Sequence, residues 1–299
     1  MALSTMTNRS PGDSITAADW DVVRNNILLI TGTPAGGSTE GWGQSWSVFN
    51  PSAGATITDT NTNDIINAAQ DIAVYTGASN TISDVSDGAT IQETDLNNVQ
   101  GTVTNGYNGR LTADNSYLST ENKDTSTRTA SWSTSVTHDV TITFSSQAHR
   151  EAFFNAGGKI NFNASRSGGS STNQNTDWTN MLSAAGTVQM NHTQTTASSG
   201  TTSSIGSYDL TTSYQTIYEK AGSGAYSTNF WRIQGRADNA TTLRFLLTFG
   251  DSHTGRGYFD SVDGTLESVV GQERPNSGTL PNGFEVTVAT PTYTTNSDL

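Results

Sequence analysis

Three times within the first 110 residues an isoleucine is followed, at fixed spacings, by capping residues and then by an aliphatic side chain. The copies are Ile15 to Val23, Ile57 to Ile65 and Ile91 to Val99. Each Ile comes four residues before Asp or Asn (Asp19, Asn61, Asp95), six before another (Asp21, Asn63, Asn97) and eight before Val or Ile. An extended or turn segment anchored by Ile, then Thr, Asp or Asn, is how an amphipathic helix begins. The apolar positions beyond support this. Trp20, Val23, Ile27 and Ile30 fall three or four apart, as do Ile65, Ala68, Ala69 and Ile72, and less fully Leu96, Val99 and Val103. Gly32, Gly77 and Gly106 lie near the expected helix ends. Such short helices cannot bury one stripe alone and pack on each other or on neighbouring chains. A small helical domain of this chain satisfies that rule; so does a docking segment, which the Gly- and Ser-rich stretch 34–41 favours by separating the helices. Residues 1–111 are therefore read as a helical, repetitive docking and oligomerisation region.

Residues 112–130 read as a polar linker, after which the period changes to two. Trp132, Val136, Val140, Ile142 and Phe144 alternate with Ser, Thr and Asp. A helix is predicted over 147–155, ended by Gly157-Gly158. A second spans 177–186, capped by Asp177 and stopped by Gly186. Strands are predicted at 160–164, 187–192, 214–220, 229–237, 241–248, 264–270 and 284–290. Phe153 or Phe154 and Ile160 should point into the core of this domain. The expected fold is mainly β with a helical N-terminal part, and residues 131–299 form an antiparallel, jelly-roll-like β-sandwich.

Fourteen Lys and Arg against 27 Asp and Glu give a net charge of −13, which argues against a nucleic-acid or anionic-membrane surface. Charged residues make up 14% of the chain, below the usual ~25%, and Ser, Thr, Asn and Gly fill the difference. The aromatic residues are spread throughout, as suits a folded β-rich chain with a hydroxyl-rich surface. The longest apolar runs, such as 27–30, are far too short to span a bilayer, and the start, Met1 to Thr5, lacks the features of a secretory signal. With no Cys there are no disulfides and no thiolate chemistry.

Candidate chemistry is sparse. His138, His149, His192 and His253 show no metal-ligand spacing, and His149 is expected on a helix surface. A carboxylate pair of the glycosidase kind could hide among the acidic residues, yet contexts such as Asp87-Gly88, Asp238-Asn239 and Asp263-Gly264 are better explained as turns. Asp251, Asp260 and Asp263 could line a loop calcium site, with turn formation the stronger reading. Ser167-Gly168-Gly169-Ser170 reads as a hairpin tip. Trp42 and Trp46 are candidates for stacking on sugars, or for packing at a subunit contact. No catalytic, metal or cofactor residue is assigned, no cofactor is expected, and the chain is read as not an enzyme.

The run Ile142-Thr-Phe144, Ala152-Phe153-Phe154-Asn155-Ala156-Gly157-Gly158-Lys159-Ile160, then Asp177-Trp178-Thr-Asn-Met181-Leu182 and Gly186-Thr-Val188, resembles a domain of tailed-bacteriophage virion structural proteins. Asp251, then Phe259-Asp260-Ser-Val262-Asp263-Gly264-Thr265-Leu266, resembles its closing part, so the likeness covers about residues 135–295; the helix starts of the N-terminal part are similar to attachment regions of such proteins. The resemblance implies a virion location, in a tail, fibre or neck appendage. It also implies assembly with copies of itself, trimeric if a fibre, and with other virion proteins. A glycan-binding, receptor-recognising adhesin with a host-surface glycan as partner, or a capsid-surface decoration protein, is the alternative.

Overall fold

The computed structural model describes residues 2–52, 54, 56–253 and 261–299. In chain order they form α1 (Ala17–Thr31), α2 (Asp59–Thr76), α3 (Glu93–Gly109), β1 (Leu118–Arg128), β2 (Ser135–Thr143), α4 (Gln147–Asn155), β3 (Lys159–Ser167), α5 (Asn173–Ala185), β4 (Val188–Met190), β5 (Thr195–Thr196), β6 (Thr201–Thr202), β7 (Gln215–Ala221), β8 (Phe230–Asn239), β9 (Thr242–Gly250), β10 (Thr265–Thr279), β11 (Glu285–Thr287) and β12 (Thr292–Thr295). The chain divides into two units. One comprises Met1–Ser119, Glu151–Gly158 and Arg274–Ala289; the other comprises Thr120–Arg150, Lys159–Glu273 and Thr290–Leu299.

In the first unit α1, α2 and α3 turn their apolar stripes toward one another. Trp20, Val23, Ile27, Ile30, Ile65, Ala69, Ile72, Leu96, Val99 and Val103 are all buried within this chain. Gly106 lies in the last turn of α3, near the helix end as expected, and a Cβ there would come 2.3 Å from Cγ2 of Ile72. The glycine is thus a contact surface for α2. Residues Glu151–Gly158, predicted to belong to the β domain, are part of this unit instead. Nδ2 of Asn155 donates to the carbonyls of Ser38 (3.1 Å) and Glu40 (3.0 Å), and the buried Tyr75 hydroxyl donates to the carbonyl of Ala156 at 2.6 Å. α4 ends as expected at the glycine pair. The N–H of Gly158 reaches the carbonyl of Phe153 at 2.9 Å and that of Gly157 reaches Phe154 at 3.1 Å, with Gly157 at φ +86°. This is the paired bond pattern that closes a helix on a left-handed residue.

The second unit holds two antiparallel sheets. One runs β12-β2-β9-β8-β7-β6 and the other β1-β10-β3-β4-β5; the far end of β10, from Arg274, belongs to the first unit and pairs there with β11. The sequence 112–130, read as a linker, supplies β1. Period-two burial along β9 sends Leu243, Phe245, Leu247 and Phe249 inward, and the ring of Phe245 meets Phe162 of β3 at 5.0 Å between centroids, so the sheets pack face to face. α5 begins at Thr172, whose Oγ1 accepts from the N–H of Asn175 at 3.1 Å, not at Asp177. It ends before Gly186 as expected. Its face of Trp178, Met181 and Leu182 is buried. Ser167 to Ser170 lead from β3 into α5 and are not a hairpin tip.

Substituting Gly106→Ala should lower the stability of the chain by about 1–3 kcal/mol, the usual effect of forcing a methyl into a filled contact. Gly101→Ala, in the same helix with nothing within 4 Å of its added Cβ, should raise it by about 0.5–1 kcal/mol. Denaturant unfolding of both variants checks the opposite signs.

Candidate docking site

The repeat is a capping device followed by two core positions. The residue after each Ile (Thr16, Thr58, Gln92) is the N-cap, and the residue four after the Ile, three after the N-cap, closes the cap. Asp19 accepts from the N–H and the hydroxyl of Thr16, both at 2.8 Å. Asn61 accepts from the N–H of Thr58 at 3.2 Å, and Asp95 from that of Gln92 at 2.7 Å. Positions five and eight residues on are Trp20 and Val23, Thr62 and Ile65, Leu96 and Val99, and all are buried. These bonds satisfy the N–H groups that a helix start leaves free.

The repeat also extends backwards, which the sequence reading missed. Ser10, Ser52 and Ser86 stand five residues before each Ile, and Gly12, Gly54 and Gly88 three before, at φ +93°, +81° and +73°. The N–H of Asp13 bonds to the carbonyl of Ser10 at 2.9 Å and that of Ala89 to Ser86 at 3.0 Å. A turn with a left-handed third residue favours Gly there, so the Ser-x-Gly spacing was the available signal.

Ahead of each helix an extended arm is tied to the helix before it. Asn97 on α3 accepts from the N–H of Arg9 and donates to its carbonyl, both at 2.9 Å. Asn63 on α2 does the same to Val85, at 2.7 and 2.9 Å. Arg9 and Val85 each stand six residues before their Ile, and the two Asn stand six after theirs. In the remaining tie the arm position, six before Ile57, is Pro51, which has no N–H, and the helix position, six after Ile15, is Asp21. There Nε of Arg24 on α1 donates to the carbonyl of Val48 at 3.2 Å, and Asp64 accepts from the N–H of Phe49. The ties run in a cycle: the arm before α2 lies on α1, the arm before α3 on α2, and the arm before α1 on α3.

That closure brings the three repeat isoleucines together. Ile15, Ile57 and Ile91, each half-buried, line one open depression of about 240 Å³ with Trp20, Asp13 and Glu93. Arg9 is paired with Asp19. Burial alone would raise the pKa of Asp19, but its bonds from Arg9 and Thr16 outweigh this and hold it below the ordinary carboxylate value.

The other candidates are accounted for by packing. Trp42 is fully buried, its Nε1 donating to the carbonyl of Arg110 at 2.9 Å, and Trp46 stacks on Phe284 with its Nε1 on the carbonyl of Glu285 at 2.8 Å. Oδ1 of Asp251 accepts from Gln174 at 2.7 Å, and Asp263 accepts from the hydroxyl of Ser170 at 2.8 Å; Asp260 lies outside the described residues. Among the described residues no group of three or more His, Asp and Glu could hold a metal ion. His149 stands on α4 against Phe144, His192 against Tyr208 and His253 against Tyr226.

His138 shares the parity of Val136, Val140 and Ile142 on β2 and points inward with them. Its Nδ1 meets Oγ of Ser268 at 2.9 Å and its Nε2 meets Asp124 at 2.7 Å. This has the composition of a hydrolytic triad, but Ser268 and His138 expose no surface to a substrate. Burial lowers the pKa of His138 against the opposing pull of Asp124 and, more weakly, Asp139.

Comparison of the chain with protein-family models, with curated proteins and with solved structures finds no match.

Two pH effects follow. Asp19 has a depressed pKa, so its cap is complete above the ordinary carboxylate range and is lost as pH falls through its folded value. Asn61 does not titrate. On acidification the Thr16 amide should lose protection from hydrogen exchange before the Thr58 amide; equal loss would show that the carboxylate does not hold the cap. For His138 the unfolded chain takes up the proton first, so its contribution is full above about pH 6.5 and falls below it. The unfolding midpoint of the native chain should drop more steeply between about pH 7 and about pH 5 than that of His138→Gln, and parallel profiles would contradict this.

Proposed function

We propose that this chain is a non-enzymatic structural protein of a tailed-bacteriophage virion, a tail, fibre or neck-appendage component. It assembles as a homo-oligomer on the particle and meets other virion proteins through its N-terminal unit. The observation that carries this reading is the convergence of Ile15, Ile57 and Ile91. The helices beneath them have already buried their stripes on each other, so these three side chains are apolar surface in excess of what the core needs.

The second unit supports an architectural role. β1 with β10 in one sheet and β2 with β9 in the other are nested pairings of the kind a jelly roll requires, although β7, β8 and β9 form a simple meander. A jelly-roll-like sandwich is our reading of this topology. Sealing of Ser268 and His138 favours structure over hydrolysis at this triad-like arrangement.

A glycan-binding adhesin is the second reading. It is favoured by an open hollow of about 430 Å³ beside α5, where the exposed Ser170, Thr176 and Asn180 offer hydroxyl and amide groups.

Gold-labelled antibody against the chain should decorate the tail or neck of purified particles, with the chain released from them as an oligomer. Particles without the chain would overturn the proposal. Binding of the purified protein on a glycan array would favour the adhesin, and carboxylate-dependent release of sugar from a host polysaccharide would sink the non-enzymatic assignment.

A further inference from the structure

We infer that the depression between Ile15, Ile57 and Ile91 receives one apolar side chain, flanked by Lys or Arg, from a partner protein. This rests on the reading of the N-terminal unit as a docking unit and specifies what docks there. At about 240 Å³ the depression is smaller than the roughly 300–1,000 Å³ typical of small-molecule pockets, and it suits a single anchoring side chain. Its lining combines the three half-buried Ile, over the buried Trp20, with the carboxylates of Asp13 and Glu93. Each Ile is anchored on its C-terminal side by a capped helix start, so that the backbone beside the depression is already tied down there. Little ordering is then needed on this side when a partner arrives.

Charge selects the occupant. The three segments 10–21, 50–66 and 84–99 contain Asp13, Asp19, Asp21, Asp59, Asp64, Asp84, Asp87, Glu93 and Asp95, and no Lys or Arg. Arg9, just outside, is already paired with Asp19. Asp13 and Glu93 stand in the lining itself. A second copy of this surface would bring like charges together, whereas a cationic segment gains attraction at the rim and apolar burial at the floor.

The test uses the full chain with isotope-labelled Ile δ1 methyls and Trp indoles, and the model peptide Lys-Lys-Leu-Lys-Lys with blocked ends. Titration should shift the methyls of Ile15, Ile57 and Ile91 and the indole of Trp20. Apparent affinity should fall about fivefold between low and moderate salt, as for a few exposed ion pairs. Replacing the central Leu by Ser, or the flanking Lys by Glu, should abolish the shifts. In Ile57→Ser, a half-buried position, binding should weaken while the unfolding midpoint stays close to the native value. Shifts that are absent, that lie elsewhere, or that are equal for the Leu- and Ser-centred peptides overturn the inference. None of these outcomes depends on particle labelling, so failure here leaves the virion assignment standing, and loss of that assignment leaves the peptide result interpretable.

Discussion

A side-chain amide gripping both backbone groups of an extended residue is the interaction on which the first unit depends. Helices of fifteen to eighteen residues are marginal alone, and the strands of chain between them carry backbone groups that need partners. Asn63 and Asn97 answer both needs, since each lays an arm along its helix and satisfies an N–H and a C=O at once. Asn26 repeats the grip on Ser4, at 2.8 and 3.0 Å. Once the arms are held, the turn, the Ile and the cap at the end of each arm are placed, and the helix that follows inherits its direction.

What the sequence could reveal tracks the range of the interactions involved. The capping spacing was legible because a cap joins residues three apart. The strands were legible because period two is local, and α4 was found to the residue. Membership of the units was not legible. Nothing in Phe153 to Gly158 announces that Asn155 will bond to carbonyls 114 to 117 residues away. The start of α5 was missed because Gln174 and Asn175 in its first turn are polar yet buried, which blurs the apolar stripe just where the helix begins. Trp42 misled for the opposite reason: its neighbours are polar, but the chain folds back over it. In the docking site the isoleucines were visible as anchors. Their half-exposure was not, because it arises only when three distant segments meet.

Within the second unit the two sheets face each other through unlike surfaces. Phe162 against Phe245 is apolar. Elsewhere the facing residues are polar: Tyr293 donates to Oε1 of Gln272 at 3.0 Å, Nε2 of Gln272 donates to Glu121 at 3.1 Å, and Asp124, His138 and Ser268 form a second chain. Apolar faces tolerate sliding, while a polar network holds only in the register that satisfies each member. The apolar contacts supply the drive to pack, and the polar seam specifies how β1, β2, β10 and β12 meet. His138 therefore occupies an apolar parity position for a structural reason.

The same division separates folding from recognition at the repeat. Position four of each copy must accept a backbone N–H to start its helix, and Asn61 shows that an uncharged amide suffices. Asp95 does this with a charge that the cap does not require, Asp19 does so while paired with Arg9, and Asp13 and Glu93 add charge in the lining without closing any cap. Acidity at the rim is therefore more than capping demands, just as the half-exposed isoleucines are more than the core demands. Two surpluses, one of apolar surface and one of negative charge, coincide at the depression where the cycle of arms closes. Folding alone accounts for the caps and the stripes; the coincidence of the two surpluses is what distinguishes this surface as one shaped for a partner.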